Sequence, residues 1–313
     1  MINEESLATA LLVSRIVDNG ASPLKVSEFW KLPDKKSELI GKSHQDLLEI
    51  GIEEEMAERI LNLFDRATSL TFELEKYEDV GIRLLTPESE NFPRRLIERL
   101  GPKSPALFHA VGNLDLLNQP GVGIVGSRNV SKEGAETAEN IAKKTVELSH
   151  VVVSGGARGV DRLSMNSSYE NNGHVVGILA DSLIKTINNS ETRRVLLEEN
   201  NTVLMTPYSP DAPFNVGNAM GRNKVIYGMS HLTVVVATDE DTGGTWNGAT
   251  ESLRNGFGKV AVWSGQGQGP GNTALERKGA ERLDSVEGLE ELLNEPDEIV
   301  IPPPEPSQEK LFG

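Results

Sequence analysis

A doubly wound, mostly parallel Rossmann-like α/β sheet preceded by a small helical domain is the fold class the sequence predicts, on three observations. Apolar strand-like segments alternate with helical stretches after residue 120, glycine-rich turns follow several of those segments, and apolar residues recur at helical spacing before residue 77. The glycine turns read Gly126-Ser127-Arg128, Ser154-Gly155-Gly156-Ala157-Arg158-Gly159-Val160-Asp161 and Thr242-Gly243-Gly244-Thr245. Glycine lets backbone N–H groups approach an anion with no Cβ in the way, and a following helix adds the positive end of its dipole. Three such turns at one sheet edge describe a phosphate-binding surface.

Residues 1–77 read as a helical domain of SAM or helix-hairpin-helix type: Leu7, Leu11, Leu12 and Ile16 share one helical face, and Met56, Ile60, Leu61 and Phe64 another. Leu47 to Ile52 followed by Ala57 to Leu61 is similar to a helix-hairpin-helix, but the second turn glycine is missing and Glu53-Glu54-Glu55 would repel phosphate. A packing or partner-binding role is expected for it, not DNA contact. Residues 78–120 carry Pro87, Pro93, Pro102, Pro105 and Pro120 around short apolar pieces and are expected to form an irregular connector. The main domain, 121–295, has expected strands at 122–125, 150–153, 174–179, 202–205, 233–236 and 260–263. In such a sheet ligands bind at the carboxyl ends of the strands, where all three turns fall. Residues 296–313 are expected to be a Pro-rich flexible tail.

Composition sets limits. At 313 residues, 37% hydrophobic and 25% charged, the chain has material for about two domains with real cores. It contains no cysteine, which excludes disulfides, thiol nucleophiles and thiolate metal sites. The N-terminus lacks a basic flank with a long apolar run, and no segment approaches the ~20 apolar residues that span a bilayer. A cytoplasmic protein with no membrane partner is expected. The net charge of −16 argues against nucleic acid if read globally. Acidic residues, however, crowd 46–79 and 276–309, whereas Arg128, Lys132, Arg158, Arg162, Arg222 and Lys224 lie on or near the turns. The pattern allows a local basic cleft on an acidic body.

Gly121-Val122-Gly123-Ile124-Val125-Gly126 formally matches a dinucleotide fingerprint, but its first two glycines precede or lie within the strand, and Ser154-Gly155-Gly156 stands where an acidic ribose ligand belongs. No Walker sequence is present. Neither a nicotinamide enzyme nor an ordinary triphosphatase is expected, and no cofactor or metal is implied.

Further motifs in fixed order include Asn91-Phe92-Pro93-Arg94-Arg95-Leu96, Pro105-Ala106-Leu107-Phe108, Phe214 with Arg222-Asn223-Lys224-Val225-Ile226-Tyr227-Gly228-Met229-Ser230, Gly271-Asn272-Thr273-Ala274-Leu275 and Gly279-Ala280. With the first two glycine turns, over roughly 90–285, they resemble the DNA-processing protein A family (DprA, also called Smf). That resemblance implies a non-enzymatic protein that binds single-stranded DNA as a dimer and loads the recombinase RecA in DNA uptake and recombination. By the same resemblance, Gly126, Ser127 and Arg128 would contact one phosphate, and Ser154, Gly155, Gly156 and Gly159 would cradle another, with Arg158 a further contact. Asp161 would order the loop or cap its helix. Arg222 and Lys224 would supply charge, Asn223 would position a backbone or base edge, and Gly243, Gly244 and Thr245 would complete the surface.

Three departures stand out. Ser164 and Met165 follow Gly159-Val160-Asp161 where the family shows small residues and a histidine. Gly243-Gly244-Thr245-Trp246 replaces a Ser-Gly-Ser/Thr turn, which leaves Trp246 either stacked on a base or packed in the core. The tail ends Gln308-Glu309-Lys310-Leu311-Phe312-Gly313, where a winged helix occurs in longer relatives; Gln308, Leu311 and Phe312 resemble the peptide that docks into the bacterial sliding clamp. The alternative is a nucleotide sensor or phosphoribohydrolase-like enzyme on the same fold, with a role in phage defence, in which Glu251 would stabilise a ribosyl cation.

Overall fold

The computed structural model describes residues 2–197 and 200–295. The tail residues Gln308, Leu311 and Phe312 lie outside the described residues.

Five helices come first: α1 (Glu4–Val13), α2 (Val26–Phe29), α3 (His44–Glu49), α4 (Glu54–Phe64) and α5 (Ala67–Asp79). Helix α1 starts where the Asn3 side chain accepts the Ser6 N–H at 2.7 Å, and α3 starts in a capping box between Ser43 and Asp46. The C-terminal end of α1 is tied down by Arg66, which is buried and donates to the carbonyls of Val17 at 2.6 Å and Ser14 at 2.8 Å. Leu12, Phe29, Leu39, Leu47, Ile60 and Leu63 form the core of this part. The turn between α3 and α4 places Gly51 at φ +87°, and α4 opens on Glu54 and Glu55, so this hairpin presents carboxylates where a phosphate-binding hairpin presents open amides.

Residues 78–120 are not a connector. They contribute β1 (Arg83–Leu85), α6 (Arg94–Leu100) and β2 (Phe108–Gly112), and both strands join the main sheet. The prolines that suggested irregularity bracket these elements: Pro93 is the N-cap of α6, Pro102 opens a short turn after it, and Pro120 immediately precedes the next strand.

The remaining elements alternate: β3 (Gly121–Val125), α7 (Lys132–Glu147), β4 (Val151–Ser154), α8 (Val160–Glu170), β5 (Val175–Ile178), α9 (Leu183–Ile187), α10 (Ser190–Leu197), β6 (Thr202–Thr206), α11 (Val216–Met229), β7 (Leu232–Val235), α12 (Gly243–Asn255), β8 (Lys259–Trp263), α13 (Asn272–Arg277), β9 (Glu281–Leu283) and α14 (Gly288–Asn294). The sheet order is β1-β2-β6-β5-β4-β3-β7-β8-β9, antiparallel across β1–β2 and β2–β6 and parallel elsewhere. All six expected strands are present, each within one residue of its expected bounds at either end. Their Val- and Ile-rich runs are buried throughout β3 to β7, as both-sided parallel strands require.

Helices cover both faces. Ile124, Val152 and Val234 pack with Ile141 of α7 on one, and Val125, Val153 and Val235 with Tyr227 of α11 and Trp246 of α12 on the other. Trp246 is thus a core residue, 5% exposed, and does not offer a stacking face. The fingerprint-like glycines also have packing reasons: a Cβ on Gly123 would stand 2.7 Å from the hydroxyls of Ser230 and Thr233. From β3 the chain winds outward one way through β4, β5 and β6, and then the other way through β7, β8 and β9. The switch point is the crevice between the carboxyl ends of β3 and β7.

Candidate anion-binding site

A cavity of 510 Å³ opens at that switch point, lined by Gly126, Ser127 and Arg128 after β3, by Phe214 and Arg222 on and before α11, and by Gly243, Gly244 and Thr245 at the start of α12. Two shallower lobes continue from it, both bordered by Arg128 and Arg158. Arg128, Arg158 and Arg162 are all exposed along this path. These three arginines make a basic track along this edge of the sheet, beside the carboxylates of Asp161, Asp181 and Asp239.

The three glycine turns do different work. Helix α12 has thirteen residues, and its N-cap Thr242 makes no side-chain capping bond. The first-turn amides of Gly243, Gly244 and Thr245 therefore face the cavity with the positive end of the helix dipole and no side-chain acceptor from the cap. The turn is held in place from its sides: the Thr245 hydroxyl donates to the Gly126 carbonyl at 3.0 Å, and the Asn223 amide donates to the Gly244 carbonyl at 3.0 Å. Asn272, 1% exposed, braces the loop after β7 by donating to the carbonyls of Val236 and Trp263 and accepting the Thr238 N–H at 3.0 Å.

The turn after β3 lends a guanidinium but not the Ser127 amide. The Ser127 N–H is already donated to the Ala237 carbonyl at 2.8 Å, and its hydroxyl accepts the Asn129 N–H. The expected contact through that amide is not available. Arg128 remains exposed, and its guanidinium lies 5.3 Å from the ring centre of Phe214, which is 49% exposed.

The turn after β4 is occupied by the protein itself. The Asp161 carboxylate accepts the Gly155 N–H at 3.2 Å and lies close to the Ala157 amide, so a built-in anion fills this cradle. Ser154 is fully buried and donates its hydroxyl to the Ile124 carbonyl at 2.7 Å, away from any ligand. Gly155 is required because a Cβ would stand 1.5 Å from Nη1 of Arg222. Gly159, at φ +87°, would place a Cβ 2.3 Å from the Ser127 carbonyl oxygen. These glycines pack the loop against its neighbours; the expected phosphate cradle at Ser154, Gly155, Gly156 and Gly159 is corrected to a self-filled turn.

The cations on α11 also separate. Arg222 is 4% exposed and lines the cavity from beneath Gly155, with Nη1 3.8 Å from the Asp161 carboxylate. Its Nε and Nη1 have no hydrogen-bond acceptor, and burial pushes the guanidinium below its usual range while Asp161 opposes that shift. Lys224 does not line the cavity: two residues on from Arg222, about 200° around the helix, it faces Glu251 and Lys103. Burial lowers its ammonium, and Glu251 opposes that. Glu251 itself lines a separate depression with Thr250, Arg254 and Lys278. Eight residues along α12 from Gly243 is about 12 Å of rise, which removes Glu251 from a ligand at the helix N-terminus. Arg158 donates to the Asn129 side-chain Oδ1 at 2.5 Å and borders the outer lobes.

Asn129 and the apolar wall of Val216 and Met220, 67% and 42% exposed, line the site without having been singled out from the sequence. Their signal was present only in their exposure, which a one-dimensional pattern does not carry.

A doubly wound sheet with an open helix N-terminus and arginines at its switch point defines a Rossmann-like α/β protein with a candidate anion site. A family model described as DNA recombination-mediator protein A matches residues 83–294, and the chain belongs to that family. Protein Smf of Synechocystis is 27% identical over 199 residues, covering 62% of this chain and 49% of that protein. DNA processing protein DprA of Bacillus subtilis is 26% identical over 171 residues, 54% of this chain and 57% of the relative. The chain thus spans about half the length of these curated relatives. The X-ray structure of DprA from Streptococcus pneumoniae superposes with a TM-score of 0.69 at 22% identity, over 93% of this chain and 98% of that one. A Helicobacter pylori DprA structure, described as giving its single-stranded DNA binding mode, reaches 0.55 at 20% identity over 67% and 95%. At these identities the likeness shows the fold. Among the described residues, no helix is long and apolar enough to cross a membrane.

Proposed function

We propose that this protein binds single-stranded DNA in the switch-point crevice and acts as a recombination mediator, delivering the strand to RecA without chemistry of its own. The observation that carries the reading is the uncapped N-terminus of α12 opening into the same cavity as the exposed Arg128 and Phe214. One phosphate would sit on the amides of Gly243, Gly244 and Thr245 beside Arg128, and the neighbouring phosphates along Arg158 and Arg162. A base would lie on Phe214 with Met220 and Val216 beside it, a face that accepts any base and asks for an unpaired strand. Asn223, engaged with Gly244, positions the turn instead of reading a base edge. The Helicobacter relative binds single-stranded DNA by its description, which agrees with this reading. Action as a homodimer belongs to the same proposal, and so does docking of Gln308, Leu311 and Phe312 on the sliding clamp. The clamp contact is checked by pull-down with and without residues 308–313.

Fluorescence anisotropy of a labelled oligonucleotide tests the central reading. Binding that tolerates base sequence, weakens steeply with salt and is displaced far better by single strands than by duplex is expected. No binding at low salt overturns it.

A further inference from the structure

The glycine turn after β4 has the form of a phosphate cradle and holds a carboxylate. Asp161 is 6% exposed, lines the cavity, and stands on the second residue of α8 after Gly159. Its Oδ2 accepts the Gly155 N–H, with the Ala157 amide close by, and lies 3.8 Å from Nη1 of Arg222. This is the position and bonding of a bound anion at a helix N-terminus. Arg222 completes the picture from the other side: it is a buried cation at the cavity wall with Nε and Nη1 lacking hydrogen-bond acceptors, so its long ion pair does not use its donors. The pair is also poorly hydrated. Burial raises the Asp161 carboxyl above the ordinary range and Arg222 opposes that rise.

We propose that Asp161 is an internal counter-anion that holds the second glycine turn closed to phosphate and restrains Arg222, so that the crevice takes phosphate at α12 alone and binds DNA more weakly than its cations would allow. The inference rests on the single-strand reading above and adds a residue whose effect has the opposite sign to the cations and amides of the site. A mediator must release its strand, and a fixed negative charge at the cavity wall limits how tightly the strand is held. Removing that charge leaves the Gly155 and Ala157 amides and the Arg222 guanidinium facing the cavity without a carboxylate in the turn, Asp181 at the rim of the outer lobe being the anion that remains near Arg222.

The test is Asp161→Asn in the full chain, read by oligonucleotide anisotropy over a salt series. The expected result is affinity higher on the order of 3- to 10-fold at low salt, with a salt dependence steeper by up to about one released counterion. A merely structural role for Asp161 would weaken binding or leave it unchanged, and either outcome in a folded variant overturns the proposal. A second measurement needs no variant. In the wild-type chain titrated with inorganic phosphate, the amide resonances of Gly243 and Gly244 should move and those of Gly155 and Ala157 should stay; equal movement of both sets overturns it. A wild-type chain that binds no oligonucleotide defeats the single-strand reading, whereas binding that Asp161→Asn fails to strengthen defeats this inference only.

Discussion

Glycines that look alike in the sequence differ in what they prevent. Gly159→Ala would drive a Cβ to 2.3 Å from the Ser127 carbonyl oxygen at φ +87°, whereas Gly243 has φ +86° but nothing within 4 Å of its Cβ position. The first change is expected to cost about 3 kcal/mol or more and the second about 1 kcal/mol, read from urea midpoints of the two variants. The same contrast holds for the cations. Arg128→Ala is expected to weaken binding to all sequences alike and to lower the salt slope by about 0.7, the share of one phosphate on a single strand. Lys224→Ala should leave that slope unchanged, because the ammonium faces Glu251 and not the crevice. Equal effects of the two changes in a salt series would remove Arg128 from its special place. Residue types and spacing marked Arg128, Gly243, Gly244 and Thr245 correctly as lining the cavity, since glycine after a strand and before a helix has a fixed geometric meaning. The resemblance had Asp161 ordering its loop, as its bond to the Gly155 amide does, but nothing in the sequence revealed that Ser154 bonds inward or that Lys224 turns away. Each of those depends on where a side chain points, which a sequence pattern does not specify.

At the level of elements, the strands from β3 to β8 were legible because parallel strands buried on both faces read as unbroken Val and Ile runs. The two antiparallel strands β1 and β2 were not, because five prolines surround them; those prolines lie outside the strands, as the ladder requires. Strand β2 brings a further consequence. His109 is fully buried there, edge-on to Tyr77 of α5 with ring centres 6.0 Å apart, so the junction between the helical part and the sheet holds an imidazole that folding keeps neutral. Burial pushes its pKa down to about 3 from 6.5. Between those values the unfolded chain binds the proton and the folded chain does not, so stability falls as the pH drops through 6.5 toward 3. A loss of about 2 kcal/mol from pH 7 to pH 5 is expected from this group, and His109→Phe should flatten that part of the profile in urea titrations at the two pH values. A variant with the same pH dependence as the parent would assign the acid sensitivity to other groups.

For the whole molecule, a net charge of −16 and a DNA-binding role are compatible because the charge is segregated. Acidic residues dominate α4, α5 and the region from α13 onward, while Arg128, Arg158 and Arg162 gather where the sheet changes direction. On the proposed reading, the acidic body would keep the chain off non-specific polyanions, and the cleft would offer a path for a flexible strand. The helical hairpin of α3 and α4, with Glu54 and Glu55 at its turn, is left for packing or partners. That division of labour is open to one direct measurement, hydrogen exchange of the backbone with and without a short single-stranded oligonucleotide. Binding at the switch point predicts slower exchange in the segments that contain Gly243 to Thr245 and Arg128, and no change across residues 44–64. Protection of 44–64 with none at the start of α12 would contradict it and move the DNA to the helical domain.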